Sequence, residues 1–163
     1  NFIYNRGLTR DGCHAIDLLN FFFGQFKDGH ICKKEGIDDF SKDDLTQPIF
    51  MSYEKCPYVF LTPMDGRCYS IFELDILFER ARVIFVEGGD YVNTIYPEPS
   101  PLGQYLKLSA ESIIKSTGLT HRLLINILDN ALLYLDGEIE KPYCTIDDAI
   151  EVHKIVRYLR NKE

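Results

Sequence analysis

The sequence predicts a segregated α+β fold, in which one helix precedes a series of strands and two further helices follow them. Three observations lead to this prediction: an apolar helical segment near the start, β-branched and aromatic runs from residue 47 onward, and helical periodicity over the last third of the chain. Elements grouped in this way favour an antiparallel sheet, whereas strands that alternate with helices are typical of nucleotide-binding parallel sheets. We expect roughly five to seven strands.

The first helix is predicted from Asp11 to Gly24 and is apolar on nearly every side. Asp11 is the expected N-cap, because a short carboxylate accepts the free amide hydrogens of a first turn, and Gly24 is the expected stop. A helix with almost no polar face is buried. His14 and Asp17 are three positions apart, so they share one side of it. Residues 1–11 are interpreted as a polar approach to this helix.

An extended stretch and a polar loop are expected after the helix. Residues 26–33 are predicted to be extended, and residues 34–44 are predicted to form the least structured segment of the chain. Four carboxylates of this region are interpreted as a solvated loop cluster: Asp38, Asp39, Asp43 and Asp44.

The middle of the chain has the pattern of strands. Short β-branched and aromatic runs predict them at residues 49–53, 58–62, 68–78, 82–86, 91–96 and 105–108. The longest is expected at 68–78, because apolar and acidic residues alternate from Phe72 to Phe78 with the period of a half-buried antiparallel strand. Residues 87–90 are predicted to form a turn, and the prolines at 97, 99 and 101 are expected to interrupt the sheet.

The tail of the chain is predicted to form two helices. Apolar residues recur at helical spacing from Leu124 to Leu135, and Asp136 and Gly137 end that run. Thr145 is the expected N-cap of the last helix, which has carboxylates in its first turn and basic residues near its end. This order of charges is the one that the helix dipole favours.

Length and charge limit the classes of function. A chain of 163 residues is long enough for one domain with its own core. Its net charge of −7 and pI of about 5.1 argue against nucleic-acid binding, which requires a clustered basic surface. The same acidity favours a soluble cytoplasmic protein, and no apolar run approaches the ~20 residues of a membrane span. Five widely spaced cysteines without a C-x-x-C pair favour neither a zinc site nor a disulfide framework.

The pair of His14 and Asp17 is the best candidate for chemistry. A histidine near the start of a helix can exchange a proton near neutral pH, and a nearby carboxylate tunes its pKa. The alternative is a core histidine that hydrogen-bonds to Asp17 or to a backbone carbonyl, and residue types alone favour this alternative. The other histidines, His30, His121 and His153, lie on separate predicted elements without metal-binding spacing. The chain contains no G-x-G-x-x-G and no P-loop.

Residues 12–18 (GCHAIDL) resemble the G-x-H-x-I-D-L segment of the Gfo/Idh/MocA family of NAD(P)-dependent oxidoreductases. Residues 72–76 and 80–83 are similar to the strand–turn–strand around a G-x-G-R motif in that family. Residues 124–137 and 142–149 are similar to its last two helices. The resemblance covers essentially all of this chain but only the C-terminal half of the family, without its N-terminal Rossmann domain.

The resemblance implies a mainly antiparallel, open-faced sheet with helices packed on one face. It also implies that residues 1–163 are a single substrate-binding and oligomerisation domain, whose open face joins copies into a homodimer or a higher homo-oligomer. NAD or NADP would be bound by the Rossmann domain of the parent protein. This chain alone is therefore expected to hold no cofactor and to be inactive.

The implied activity is hydride transfer between nicotinamide and a secondary alcohol carbon of a sugar, cyclitol or sugar nucleotide. His14 falls on the catalytic histidine of the family, which handles the hydroxyl proton. Asp17 falls on the aspartate of the I-D pair, which orients that neighbourhood.

One position departs from the family pattern. Many members carry an aspartate four residues before the histidine, where this chain has Arg10. Either Asp11 takes that place by a shift of one residue, or the substrate differs, since Arg10 and Arg6 suit a phosphate or a carboxylate. A third alternative is that the chemistry of the family is lost. A different hypothesis is a non-catalytic interaction module that self-associates through the same fold.

Overall fold

The computed structural model describes residues 1–162, which form twelve strands and three α-helices. The strands are β1 (Phe2–Tyr4), β2 (Phe26–Ile31), β3 (Ile37–Ser41), β4 (Asp44–Thr46), β5 (Ile49–Tyr53), β6 (Val59–Pro63), β7 (Glu73–Phe78), β8 (Ala81–Val86), β9 (Tyr91–Ile95), β10 (Pro97–Pro99), β11 (Leu106–Leu108) and β12 (Ile113–Ser116). The helices are α1 (Cys13–Phe23), α2 (Leu119–Leu135) and α3 (Ile146–Asn161). A π-helical segment (Gly7–Gly12) leads directly into α1.

Eight of these strands form one mixed sheet in the order β12-β9-β8-β7-β1-β6-β5-β2. Every neighbouring pair is antiparallel except β1 and β6, which run parallel. The strands β3 with β4, and β10 with β11, form two small separate hairpins. The prediction of an α+β fold with a mostly antiparallel sheet is therefore confirmed.

The core lies between one face of this sheet and the helices α1 and α3. Ile16 and Leu19 of α1, together with Leu159 of α3, are fully buried against Phe2 and Tyr4 of the central strand β1. Fully burying an aliphatic or aromatic side chain of this size contributes about 1.5–3 kcal/mol relative to leaving it exposed. These contacts fix the orientation of α1 on the sheet.

The opposite face of the sheet carries a ladder of aromatic rings across β2, β5 and β6. The ring of Phe50 lies 5.6 Å from that of His30 and 5.2 Å from that of Phe60, measured between centroids. Farther along the same face, the guanidinium of Arg82 donates two hydrogen bonds to Asp75, at 3.0 and 2.7 Å. On this face Phe60 is 51% exposed, and exposed aromatic rings on a sheet are typical of protein–protein interfaces.

The N-terminal third differs from the prediction in two places. Residues 1–11 are not simply a polar approach, because Phe2–Tyr4 forms a central strand whose aromatic side chains are buried. Residues 34–44 are not an unstructured loop, because they contain β3 and the start of β4. Strand β1 forms by pairing with the distant strands β6 and β7, whereas β3 and β4 pair locally as a hairpin.

The strands of the second half also differ from the prediction. The run at 68–78 is a strand only at Glu73–Phe78, and Pro97–Pro99 pairs with β11 in a separate hairpin instead of breaking a strand. Residues Ile113–Ser116 form the edge strand β12, which the sequence patterns did not predict. The total of twelve strands in the described chain exceeds the expected five to seven because five of them have only three or four residues.

The two C-terminal helices have different environments. Thr145 caps α3 as predicted, since its hydroxyl accepts from the amide of Asp148, and the Asp148 carboxylate accepts from the amide of Thr145 at 2.8 Å. Helix α2 begins five residues earlier than predicted and is exposed over most of its surface, with Leu124 75% and Leu135 76% exposed. A helix that is apolar on nearly all sides is normally buried, whereas α2 leaves most of its apolar side chains exposed.

Candidate active site around helix α1

The backbone that leads into α1 has an unusual conformation. Arg6 adopts the left-handed region with φ 60° and ψ 36°, Gly7 follows with φ 90°, and Gly7–Gly12 then forms a π-helical turn. A left-handed non-glycine residue and a π-helical turn each cost free energy, and both occur frequently at functional sites. Residues elsewhere in the fold must therefore hold this segment.

Asp39 of β3 is one of the residues that hold it. Its carboxylate accepts hydrogen bonds from the amides of Arg6 at 2.8 Å and Gly66 at 2.9 Å, and from the hydroxyl of Thr46 at 2.7 Å. The hydroxyl oxygen of Thr46 in turn accepts from the amide of Gly7 at 2.7 Å. The two strained residues are thus fixed by one carboxylate and one hydroxyl of the β3–β4 hairpin.

Asp44 is the second residue that holds the segment, and it is only 7% exposed. Its two carboxylate oxygens lie 2.9 and 3.0 Å from the amide nitrogen of Thr9, which donates to them. Asp38 and Asp43 are exposed, as expected for a solvated cluster. The same interpretation is wrong for Asp39 and Asp44, because their charges are satisfied by backbone amides inside the fold.

Asp11 does not cap α1, and this prediction is wrong. The helix begins at Cys13, the preceding residue Gly12 already has helical backbone angles, and no side chain caps the helix. The Asp11 carboxylate instead forms ion pairs with Arg6 at 3.0 Å and with Arg10 at 3.7 Å. The segment continues helically from Gly7 into α1, so there is no helix start at Asp11 for a carboxylate to cap.

The two arginines expected to bind an anion are therefore engaged with a carboxylate. Arg6 also donates to the hydroxyl of Ser70 at 2.7 Å, and the guanidinium of Arg10 lies 4.1 Å from the ring centroid of Phe40. Each arginine keeps part of its surface exposed. A phosphate or carboxylate at this position would have to compete with Asp11 for both cations.

His14 lies on the outer side of α1, and its side chain is exposed. Ala15, Ile16 and Leu19 turn toward the sheet, so His14 projects from the opposite side of the helix. Within the described residues the His14 ring makes no hydrogen bond and no ion pair shorter than 4.0 Å. The interpretation as a core histidine is therefore wrong, and the ring is accessible to a ligand.

Asp17 lies one turn farther along α1 and is half-buried. Burial raises the pKa of its carboxyl above the ordinary value, the charge of Asp148 raises this pKa further, and His14 opposes both with a smaller effect. Asp17 lines a cavity of about 740 Å³, together with Phe21 of α1 and Tyr143 of the segment before α3. His14 itself does not line this cavity.

The predicted site residues thus do not form one site. Arg6, Arg10 and Asp11 form a cluster at the π-helical turn, Asp17 lines the cavity, and His14 belongs to neither. Sequence reasoning missed Asp39, Asp44 and Thr46, which hold the first cluster. The only signal for them was a run of carboxylates, and polar runs of this kind usually lie in solvent.

Comparisons with known proteins identify no relative of this chain. No family model, no curated protein and no solved structure matches it. Over residues 1–162, no helix has the length and apolar character needed to cross a membrane. In the same part of the chain, no three side chains of the metal-binding types are grouped so that they could hold an ion.

Proposed function

We propose that this chain is the substrate-binding and oligomerisation domain of an NAD(P)-dependent oxidoreductase of the Gfo/Idh/MocA type. Its substrate would be a secondary alcohol of a sugar, cyclitol or sugar nucleotide. The observation that carries the proposal is the state of His14, which is exposed and unpaired within residues 1–162 although it lies in a highly apolar helix. By the resemblance of residues 12–18, His14 would be the catalytic histidine of the family.

The rest of the fold supports the same proposal. The sheet is mostly antiparallel, α1 and α3 pack on one of its faces, and the other face carries exposed aromatic rings. A domain of this kind would use the helical side to meet the substrate and the open face to meet a second copy. The backbone of Arg6 and Gly7 is held in a strained conformation, which is a frequent feature of functional segments.

Residues 1–162 have no glycine-rich loop of the kind that binds a dinucleotide. They contain no G-x-G-x-x-G sequence, and the turn between β1 and α1 is a π-helical turn held by carboxylates, which a pyrophosphate would not approach. The proposal therefore requires the nicotinamide nucleotide, which supplies the hydride acceptor, to be held outside this chain. This chain would contribute the residues that bind and orient the substrate.

This chain would transfer the proton of the substrate hydroxyl and orient the substrate. A neutral His14 ring would take the proton from the substrate hydroxyl as the carbon is oxidised, and the imidazolium would return it in the reverse direction. His14 lies near enough to Asp17 to lower the pKa of that carboxyl, so an ionised Asp17 would attract the charged ring. Asp11, held by Arg6 and Arg10, would accept a hydrogen bond from a second substrate hydroxyl.

The test is a comparison of two histidine variants in the full-length protein that contains this chain. We expect His14→Ala to lower turnover of a polyol panel with NAD or NADP by about 10²–10⁴-fold. The affinity for the cofactor should change less than about twofold, because the cofactor is bound elsewhere. His153→Ala, an exposed histidine on α3, is the matched control and should leave turnover unchanged. Equal turnover of His14→Ala and the wild type would refute the assignment of His14.

A second candidate function is a non-catalytic module that self-associates. The exposed rings of the open face favour it, because they need no catalytic role to explain them. Phe60→Glu should then weaken self-association by at least about tenfold, measured by sedimentation, while Tyr96→Glu should not. A dimer alone does not separate the two candidates. Absence of nicotinamide binding by the full-length protein would favour the module over the enzyme.

A further inference from the structure

The cavity beside Asp17 has the size of a small-molecule site. Its volume of about 740 Å³ lies within the range of about 300–1,000 Å³ that is usual for ligand pockets. One wall is the outer side of α1, and the other walls are the first residue of α2, the segment before α3 and the first turns of α3. His14, Arg6 and Arg10 do not line it, so it is distinct from the cluster at the π-helical turn.

The ionisable groups that line the cavity set the charge of a ligand. Among the described residues no lysine, arginine or histidine lines it, whereas Asp17, Asp148 and Glu151 do. Asp148 is paired with Lys141 at 3.3 Å, and Glu151 is paired with Lys154 at 3.2 Å.

Asp17 differs from these two carboxylates because, within residues 1–162, it has no hydrogen bond and no ion pair within 4.0 Å, although His14 acts on it at longer range. A half-buried carboxylate without a partner carries a desolvation cost that a cation would remove. The raised pKa of Asp17 agrees with this cost. An anion placed here would lie beside three carboxylates and meet no lining cation.

Aromatic rings also line the cavity, and they favour a cation as the carboxylates do. Phe21 is 77% exposed and Tyr143 is 86% exposed, and both line the cavity that Asp17 lines. Phe26 lines it too but is packed between Tyr53 and Tyr158, whereas Phe21 contacts one ring, Phe22 at 5.4 Å, and keeps most of its surface exposed. An aromatic face attracts a cation through the ring quadrupole, and aromatic rings of this kind recognise alkylammonium groups.

We propose that this cavity binds the alkylammonium group of a small organic cation, with the charge beside Asp17 and the alkyl groups against Phe21 and Tyr143. A neutral apolar ligand would fill the volume but would leave Asp17 desolvated and unpaired. A cation satisfies the carboxylate and the rings together. The proposal stands on the cavity alone and holds whether or not the chain belongs to an oxidoreductase.

The experiment is a calorimetric titration of the full chain with choline and with 3,3-dimethyl-1-butanol, its neutral isostere. We expect choline to bind at least about tenfold more tightly, because the two differ chiefly in charge. Asp17→Asn should weaken choline binding about tenfold and leave the isostere unaffected. Tyr143→Leu should weaken choline binding by about threefold or more.

The controls are an acid and a tyrosine that lie outside the cavity. Glu79→Gln and Tyr58→Leu should bind choline as the wild type does, and circular dichroism should confirm that every variant is folded. Because Tyr143 is exposed, its variant keeps the test decisive even if Asp17→Asn fails to fold.

Several outcomes would overturn the proposal. They are equal affinity for choline and its isostere, no binding of choline at all, and wild-type affinity in the Asp17 and Tyr143 variants. A peptide that carries trimethyl-lysine distinguishes a methylated protein side chain from a small organic cation as the ligand. Tighter binding of this peptide than of choline would overturn the assignment to a small molecule.

Discussion

The guanidinium of Arg160, near the end of α3, donates a hydrogen bond to the buried carboxylate of Asp44 at 2.6 Å. The same carboxylate accepts from the amide of Thr9 in the π-helical segment. One aspartate therefore connects the last helix of the chain to the segment that presents Arg10 and Asp11. The β3–β4 hairpin, which holds Asp44, is part of the site and is not a surface appendage.

The connection through Asp44 predicts the effect of removing its charge. Asp44→Asn keeps the shape of the side chain but weakens its hydrogen bonds to Arg160 and Thr9. Hydrogen bonds to charged groups contribute about 1.5–3 kcal/mol each, so we expect a loss of about 2 kcal/mol in the free energy of unfolding. Urea denaturation measures this loss, and faster hydrogen exchange at the Thr9 amide should accompany it.

The neighbouring aspartate provides a matched control for that measurement. The Asp43 side chain is exposed, so Asp43→Asn should change the unfolding free energy by less than about 0.5 kcal/mol. If the two variants had equal stability, Asp44 would not be holding the segment.

A methyl group at Gly7 should be more harmful than one at another left-handed glycine. Gly7 has φ 90°, and a Cβ there would contact the Asp44 carboxylate and lie 2.7 Å from the Asp44 carbonyl oxygen. Gly88 has φ 65° with open space around it. We expect Gly88→Ala to cost about 1 kcal/mol and Gly7→Ala about 3 kcal/mol or more, measured by thermal or urea unfolding. Equal costs would show that the β3–β4 hairpin moves freely away from Gly7.

Much of the fold could be predicted because its longer elements repeat a clear period. The alternation in β7, the apolar runs of β5 and β6, and the stripe of α3 each reflect one buried face, which local sequence records directly. The short strands β1 and β12 could not be found in this way. A strand of three or four residues is too short to show a period. The position of β1 depends on a partner about 60 residues away, and that of β12 on a partner about 20 residues away.

The candidate site could be predicted only in part, for a related reason. His14 and Asp17 were found because a polar pair stands out in an apolar helix. Asp39 and Asp44 look like solvent-exposed residues in sequence, and their partners are backbone amides 33 and 35 residues earlier in the chain. Asp11 was misplaced because a π-helical turn has no local signature here that distinguishes it from a polar approach.

The cap of α3 should contribute a pH-dependent part of the stability. Hydrogen bonds from the Thr145 side chain and amide hold the pKa of Asp148 below its ordinary value. A carboxyl whose pKa is lowered by folding stabilises the fold above its unfolded pKa of about 3.9, and this contribution is lost as the pH falls through the folded pKa. Asp148→Asn should therefore lower the unfolding free energy by about 1 kcal/mol at pH 7.

The pH dependence of that loss is the decisive measurement. The difference in unfolding free energy between Asp148→Asn and the wild type should become smaller when urea unfolding is repeated below about pH 4. Asp147→Asn, in the same helical turn but outside the capping box, is the control and should show a smaller loss. A loss that stays constant from pH 7 to pH 3 would mean that the charge of Asp148 is not responsible.

The charge of Asp17 should affect the free energy of unfolding in the opposite direction to the charge of Asp148. The pKa of Asp17 is raised in the folded chain, first by burial and then by the charge of Asp148, so folding disfavours the ionised carboxyl. The resulting cost appears as the pH rises above the unfolded pKa of about 3.9 and is complete above the folded pKa. We therefore expect Asp17→Asn to raise the urea midpoint at pH 7 and to leave it unchanged at pH 3.5, while Asp129→Asn on exposed α2 has no such effect. A lower midpoint for Asp17→Asn at pH 7 would show instead that the carboxylate has a favourable partner in the folded chain, and the cavity would then not need a cation to satisfy it.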